Sequence, residues 1–317
     1  MSRPDISAVI CTFNRAGYLE RSLGSLLRQR LPRERFEVLL MDNNSTDQTR
    51  TVAEQFLERF PHSRYLFVEK QGLAHARNVA LREACAPVIA YLDDEAAASA
   101  DWLSDLVHRF ESIDPRPACV GGPVYLDWEG GRPPWLPNRY LNLYTHLDLG
   151  PALIRLNDRS DGIVQGANMA FDRELALRLG GFSESTGRKG SSLISGEDTE
   201  FLSRLKSRGY SVYYSPNASV HHLVLPQRRN KRYFKRRLLF DGKSQILIDI
   251  LEGRLDRAEL LRRLPYDTRV MLRLYLRALW QRVGRRPVGS EYPWYEAIRR
   301  RGRVLQIIEL MVRRPAA

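Results

Sequence analysis

Apolar and polar residues alternate regularly over the first hundred residues of the chain. Four short apolar runs predict strands that are buried on both faces. They cover residues Ile6 to Cys11, Val38 to Met41, Tyr65 to Val68 and Val88 to Leu92. Amphipathic stretches of helical length separate them, at Tyr18 to Arg30, Asp47 to Phe60 and Leu73 to Ala84. Strands that alternate with helices predict an α/β fold, in which a mixed, mainly parallel sheet has helices on both faces.

The pattern changes twice farther along the chain. From about residue 113 to 160 it is irregular and rich in Pro, Gly and Trp, which predicts an inserted loop region. Beyond residue 227 the chain becomes arginine-rich and helical in pattern, beginning with "QRRNKRYFKRRLLF". We therefore predict one domain over residues 1–226, with halves at 1–112 and 113–226, and a basic helical C-terminal extension over 227–317.

Polar clusters follow three of the predicted strands: "CTFNR" the first, "DNNSTD" the second and "DDE" the fourth. Ligands of parallel sheets bind beyond the carboxyl ends of the strands. We therefore expect one polar crevice at this edge, where Asp42 faces a ligand such as a nucleotide and Ser45 or Thr46 caps the next helix. The alternative for "DNNSTD" is a turn with a helix cap and no ligand.

The acidic residues Asp93, Asp94 and Glu95 stand side by side after the fourth predicted strand. Alternate side chains of an extended chain point the same way, so Asp93 and Glu95 are expected on one side. Two carboxylates in that position predict a site for one divalent cation, Mg²⁺ or Mn²⁺, that also holds a diphosphate. The alternative is a solvated turn.

Three further motifs offer charged or metal-binding side chains. Arg77 lies in the first turns of a predicted helix, where it pairs with a phosphate, holds the acidic cluster or is merely exposed. Asp198 lies at a predicted helix start, which favours its ionised form; its alternative role is helix-end electrostatics. In "VHHLV" the alternation sends His221 and His222 to opposite faces, and we favour His222 as a metal ligand over a structural histidine.

The formal charge of +13 favours an anionic partner. Nucleic acid is disfavoured, because only "KRYFKRR" interleaves basic and aromatic residues. The stretch "RVMLRLYLRALWQRV" repeats basic residues at intervals of four, which predicts either a packed helix with a solvated basic edge or peripheral contact with an anionic membrane. Three dispersed cysteines, no recognisable signal peptide and no long apolar run predict a cytoplasmic protein, at most peripheral at the inner face of the cell membrane.

Six stretches between residue 5 and about 225 together resemble family 2 glycosyltransferases. They are "VICTFNRAGYLERSLGSLLRQ", "EVLLMDNNSTDQT", "GLAHARNVAL", "YLDDEAAASADWL", "GANMAFDRELALRLGGF" and "GEDTEFLSRLKSRGY". The resemblance implies a GT-A fold and an inverting enzyme that moves a sugar from a nucleotide sugar, UDP-linked, to an acceptor hydroxyl in bacterial polysaccharide or glycoconjugate synthesis. The acceptor would be a saccharide, lipid-linked or other hydroxyl compound. The alternative is a catalytically silent sugar-nucleotide-binding or scaffolding protein.

The resemblance also implies roles for individual residues. The donor would be bound by Thr12, Asn14, Arg15, Asp42, Arg77, Asp93 and Asp94. Asp93 and Glu95 match the outer members of the family's Asp-x-Asp metal motif, but Glu95 is one methylene longer than the usual Asp, so Asp94 remains a possible ligand. Asp198 matches the catalytic base. The acceptor side would include Glu197, Arg188 and Trp135.

Overall fold

The structure of the protein, a computed structural model, describes residues 3–157, 164–190, 192–283 and 292–312. The described residues divide into two compact units. The first unit lies within 1–129, 144–185 and 197–224, and the second within 130–143, 186–196 and 225–317. The predicted boundary after residue 226 stays a prediction, although one of these divisions falls two residues before it.

The first unit is built on a mixed sheet. The strands are β1 (Ile6–Thr12), β2 (Phe36–Asp42), β3 (Ser63–Phe67), β4 (Val88–Asp93), β5 (Ala96–Ala98), β6 (Cys119–Gly121), β7 (Val124–Trp128), β8 (Ile154–Arg155), β9 (Asn168–Asp172), β10 (Val212–Tyr214) and β11 (Val220–Val224). Eight of them form one sheet in the order β3-β2-β1-β4-β9-β6-β10-β8. Only β9 and β8 run antiparallel to their neighbours, so the predicted, mainly parallel α/β fold is confirmed.

Helices follow the strands in the predicted alternation. Those of the first unit are α1 (Ala16–Leu27), α2 (Thr49–Leu57), α3 (Leu73–Glu83), α4 (Trp102–Ser112), α5 (Arg173–Arg178) and α6 (Glu197–Ser207). Those of the second are α7 (Lys231–Leu251), α8 (Arg257–Val283) and α9 (Tyr292–Val312). Short 3₁₀ helices occupy Arg33–Arg35, Asn138–Tyr144 and Pro226–Arg228. The expected cap at Ser45 or Thr46 is wrong: α2 begins at Thr49, whose N–H donates to the Asp47 carboxylate at 3.0 Å.

The central strands are apolar on both faces because the sheet buries both. Every residue of β2 is buried, as are all but Cys11 in β1. The parallel register pairs Thr12 with Asp42 and Cys11 with Asp93. The carboxyl ends of β1, β2 and β4 are therefore level with one another, and their polar side chains emerge at one edge.

A second sheet has three strands in the order β5-β11-β7. Its strand β5 begins at Ala96, directly after Glu95 in the chain. Its middle strand pairs His222 with Ala96 in antiparallel register. In addition, the backbone N–H of Leu223 donates to the carbonyl of Glu95 at 3.0 Å. This pairing connects the "VHHLV" segment directly to the acidic segment that follows β4.

The helices of the second unit pack around their own apolar cluster, which contains Ile246, Leu255, Leu260 and Ile307. Asp267 of α8 is fully buried and accepts hydrogen bonds from Arg300 and Arg303 of α9. Within the described residues, no helix is long and apolar enough to cross a membrane. At the crossing of α7 and α9 the backbones touch, because Cβ atoms built on Gly242 and Gly302 would overlap carbonyl groups of the opposing helix.

We expect Gly242→Ala to destabilise the protein despite the higher helix propensity of alanine. The added methyl group must push α7 away from the carbonyl of Arg299, and overpacking of this kind costs about 1–3 kcal/mol. Gly17→Ala is the control, because the glycine lies in α1 with no atom near the added Cβ. Urea denaturation should place the Gly242→Ala midpoint below that of the parent protein and Gly17→Ala at or above it. Equal midpoints for the two variants would contradict the close crossing.

Candidate active site

The acidic residues at the end of β4 and directly after it contact different partners. Asp93 Oδ2 and Glu95 Oε1 both face the Nε2 atom of His222, at 3.5 and 3.4 Å. Asp94 instead accepts a hydrogen bond from the Thr12 hydroxyl at 2.8 Å. The expected placement of Asp93 and Glu95 on one side is therefore what the structure shows, and Asp94 lies against the end of β1.

The two adjacent histidines of β11 lie on opposite faces, as alternation predicts. The side chain of His221 is half exposed, and its Nδ1 atom lies 3.0 Å from Asp127. His222 is only 4% exposed, and its buried Nδ1 has no hydrogen-bond partner among the described residues. The imidazole of His222 is thus held between the acidic cluster and the protein interior.

Arg77 connects two parts of this site. Its guanidinium is 3% exposed; Nη1 donates to Glu197 Oε1 at 2.8 Å and Nη2 to the carbonyl of Gly166 at 3.0 Å. The same Nη2 lies 3.8 Å from Asp93 Oδ1. Burial alone would lower the pKa of Arg77, but the charges of Glu197, Asp93 and Asp198 outweigh it and raise that pKa.

Asp198 lies in the first turn of α6, next to the buried Glu197 but itself only half-buried. Its Oδ2 accepts from the backbone N–H of Gly166 at 2.9 Å, and its Oδ1 from that of Thr199 at 2.8 Å. A Cβ at position 166 would lie 2.8 Å from Asp198 Oδ2 and 2.9 Å from Arg77 Nη2. Glycine at 166 therefore allows the carboxylate and the guanidinium to approach the same stretch of backbone.

The charges of the acidic cluster affect one another. Burial and then the charge of Glu95 raise the pKa of Asp94 to about 7, although Arg15 and the hydrogen bond from Thr12 oppose the rise. Arg15 Nη1 lies 3.8 Å from Glu95 Oε2 and supplies positive charge on that side of the cluster. A further cation at this point would relieve the remaining repulsion.

Asp93, Glu95 and His222 offer two carboxylates, which Mn²⁺ and Mg²⁺ both accept, and one imidazole, which suits a transition-metal ion better than Mg²⁺. Octahedral ligands at about 2.1 Å from an ion are about 3 Å from each other, and the imidazole lies at 3.4 and 3.5 Å from the two carboxylates. In the part of the chain that is described, no group of three or more His, Cys, Asp or Glu side chains is placed so that it could hold a metal ion. Asp93, Glu95 and His222 therefore fit a divalent cation by the chemistry of their donor atoms and not by a formed ligand geometry.

The remaining predicted donor residues lie near the same strand ends. Asn14 adopts a left-handed φ of 52°, and its side-chain carbonyl accepts from the N–H of Thr46 at 2.7 Å. Asp42 is buried and accepts from the Tyr65 hydroxyl at 2.6 Å and from the N–H of Ser45 at 2.9 Å. These contacts stabilise the loops after β1 and β2, while the predicted donor-binding roles of Asn14 and Asp42 stay predictions.

The residues predicted for the acceptor side lie in different surroundings. Glu197 is buried in its ion pair with Arg77, which gives it a structural partner that the sequence did not reveal. Arg188 and Trp135 belong to the second unit, where the ring of Trp135 lies 5.5 Å from that of Phe234. Their roles toward an acceptor stay predictions.

Two residues of the site were not singled out from the sequence. Gly166 has no side chain to suggest a role, although it opens the stretch "GANMAF" that carries part of the family resemblance. Tyr65 was assigned only to a strand, and its hydroxyl contact with Asp42 depends on the pairing of β2 with β3, which sets Leu40 opposite Tyr65. Strand register, which sequence patterns do not fix, would have been needed to find it.

Solved structures of similar fold include a glycosyltransferase. A mannosyltransferase from Pyrobaculum calidifontis, in complex with GDP-mannose and Mn²⁺, superposes with a TM-score of 0.59 and 23% identity over 81% of this chain and 66% of that one. Residues 1–349 of TarS from S. aureus, in complex with UDP, superpose with a TM-score of 0.51 and 16% identity over 98% of this chain and 93% of that one. The fold is that of the GT-A glycosyltransferases.

Residues 7–180 match glycosyl transferase family 2, and the chain belongs to this family. A glucosyl-dolichyl phosphate glucuronosyltransferase from Haloferax volcanii is 25% identical over 249 residues, which are 78% of each chain. The matched family segment contains Asp93 and Glu95 but ends before Asp198 and His222. The positions of those two residues therefore depend on the geometry described above.

We expect Arg77→Met to destabilise the first unit, because it leaves the carboxylate of Glu197 buried without its cation. Removing one partner of a buried ion pair costs about 3–5 kcal/mol. The double variant Arg77→Met, Glu197→Leu should recover part of this loss, since it removes both charges. Chemical denaturation of the single and double variants measures the difference. A single variant that loses less than about 1 kcal/mol would show that the pair is not needed for stability.

Proposed function

We propose that the protein transfers a sugar from a nucleotide sugar, UDP-linked, to an acceptor hydroxyl with inversion at the anomeric carbon. One observation carries the proposal: the acids at the end of β4 and the start of α6 meet at the buried guanidinium of Arg77. Asp93 lies 3.8 Å from it, and Asp198 accepts a hydrogen bond from Gly166, whose carbonyl receives one from Arg77. Groups suited to the donor and to the acceptor therefore lie close together.

On the donor side, Asp93, Glu95 and His222 would hold a divalent cation, Mn²⁺ or Mg²⁺. Such an ion, when bound, neutralises the negative charge that grows on the departing diphosphate. The Mn²⁺ in the structure of the P. calidifontis mannosyltransferase supports this assignment. Arg15, which lies beside Glu95 and remains partly exposed, would add positive charge toward the diphosphate.

On the acceptor side, Asp198 would take the proton of the attacking hydroxyl. The N–H groups of Gly166 and Thr199 orient its carboxylate, and each oxygen has a second lone pair for the incoming hydroxyl. As the proton moves to Asp198, the acceptor oxygen attacks the anomeric carbon from the face opposite the diphosphate, whose bond to the sugar breaks. The product has the inverted configuration.

The name of one relative supports a class of acceptor. The H. volcanii relative acts, by its name, on glucosyl-dolichyl phosphate, and that name supports a saccharide or lipid-linked hydroxyl as acceptor. We therefore place the protein in glycoconjugate or polysaccharide synthesis.

Asp198→Asn should lower turnover by about 10²- to 10⁴-fold, because the amide cannot accept the proton of the hydroxyl. Donor affinity should stay near that of the parent protein, since the donor does not need the base. The matched control is Glu174→Gln, which removes an exposed acid from the first turn of α5. Single-turnover transfer assays and donor titration measure both quantities. Transfer at the parental rate would remove Asp198 from this role, and donor binding without transfer in the parent protein would favour a silent binding protein.

His222→Ala should weaken Mn²⁺ binding by at least about tenfold, because it removes one of three ligands. The neighbouring variant His221→Ala serves as control, since His221 lies on the opposite face of β11 beside Asp127. Free Mn²⁺ is counted by electron paramagnetic resonance in titrations with and without UDP. Equal Mn²⁺ affinities for the two variants would exclude His222 as a ligand, whatever the effect on transfer.

A further inference from the structure

The outer face of α8 exposes large apolar side chains along its whole length. They are Leu261, Tyr266, Leu272, Leu276, Leu279 and Trp280. The most exposed of them are Leu276, at 65%, and Trp280, at 66%. An exposed leucine by itself needs no explanation, but a run of six along one helix face forms a continuous apolar surface of the kind that marks an interaction site. We call this surface, with the arginines between its members, the outer face of α8.

Exposed arginines alternate with these apolar residues. They are Arg257, Arg262, Arg269, Arg273 and Arg277. Within the described part of α8 the only acids are Glu259 and Asp267. Asp267 is buried against α9, and Glu259 is half-buried and accepts from the N–H of Asp256 at 2.7 Å. The outer face therefore presents apolar and positive groups without negative ones.

The direction of this face is fixed by what α8 buries on its other side. Leu260 belongs to the apolar cluster of the second unit, Asp267 accepts hydrogen bonds from Arg300 and Arg303, and Ala278 is buried. These buried positions recur with helical spacing, so the intervening leucines and arginines face outward over some five turns. Rotation of α8 to hide the leucines would expose the carboxylate of Asp267.

The combination of residues distinguishes between possible partners. Nucleic acid would attract the arginines but would leave the leucines exposed to water. A second copy that used the same face around a two-fold axis would set arginines against arginines. An anionic bilayer surface satisfies both groups, because leucine and tryptophan enter the boundary of the acyl chains while arginine side chains reach the lipid phosphates.

We propose that the outer face of α8 binds the surface of an anionic lipid bilayer, with the helix axis parallel to the membrane. No helix among residues described in the structure could span the bilayer, so the contact is one of adsorption. Binding to the membrane surface does not depend on the proposed sugar transfer, and binding to lipid can be measured without it.

Flotation of the full-length protein with vesicles tests the proposal. Vesicles of phosphatidylglycerol and phosphatidylcholine should carry the protein to the top of a gradient at low salt, and pure phosphatidylcholine should not. Replacement of Arg269, Arg273 and Arg277 by Gln should lower the partition coefficient between vesicles and water by about 10- to 100-fold. Replacement of Leu276 and Trp280 by Ser should weaken it by at least about tenfold, through loss of apolar burial. Salt should weaken parental binding as screening increases.

Matched controls separate this face from net charge. Replacement of the exposed Arg28, Arg59 and Arg82 by Gln removes the same charge from the first unit, and Leu251→Ser removes an exposed leucine of α7; both should float like the parent protein. The proposal is overturned if the control variants lose binding equally, or if phosphatidylcholine alone binds as well. It is also overturned if the protein does not bind vesicles but binds a DNA duplex through the three arginines, so that the arginine variant loses this affinity. A third contrary result is a dimer in sedimentation that the Leu276, Trp280 variant abolishes, again without vesicle binding.

Discussion

The candidate active site depends on one buried guanidinium. Arg77 emerges from α3, yet its contacts lie on the loop before β9, on the start of α6 and at the end of β4. Without Arg77, the buried carboxylate of Glu197 and the partly exposed carboxylate of Asp93 would lack the cation that both approach, and their like charges would repel one another. The positive charge makes it possible for acids from separate segments to lie near one another. The half-buried Asp198 is instead oriented by the backbone N–H groups of Gly166 and Thr199 and by the Thr199 hydroxyl.

Strand pairing extends this organisation to the other side of the acidic cluster. The backbone bond between Leu223 and Glu95 sets the register of β11 against the acidic segment. Because side chains alternate along a strand, that register determines which histidine meets the carboxylates. The imidazole of His222 is thus positioned by main-chain hydrogen bonds, whereas the acids are positioned by a side chain. Strand pairing and the Arg77 guanidinium thus position different residues among those that we assign to metal binding and donor binding.

The first half of the fold could be predicted because its signals are local. Apolar runs of four to six residues predicted β1, β2 and β4 within one or two residues at each end, and alternation alone separated His221 from His222. Register and long-range pairing have no such local signal. Arg77 and Glu197 are 120 residues apart, so the sequence offered Arg77 several partners and Glu197 a place near the acceptor. The predicted cap of α2 failed for a related reason, because Ser45 and Thr46 contact the distant Asn14, while Asp47 accepts from the N–H of Thr49.

The separation between Arg77 and Glu197 also bears on how the protein is made. Contacts between distant segments require closure of long loops before they can form, which slows folding. During synthesis, β1 to β4 can pair early, but α6 and β11 leave the ribosome much later. Until then Asp93 and Glu95 do not have the imidazole of His222 beside them, and Arg77 lacks Glu197. A nascent chain thus acquires the carboxyl ends of β1, β2 and β4 well before the residues that we propose as base and metal ligand, Asp198 and His222, can lie beside them.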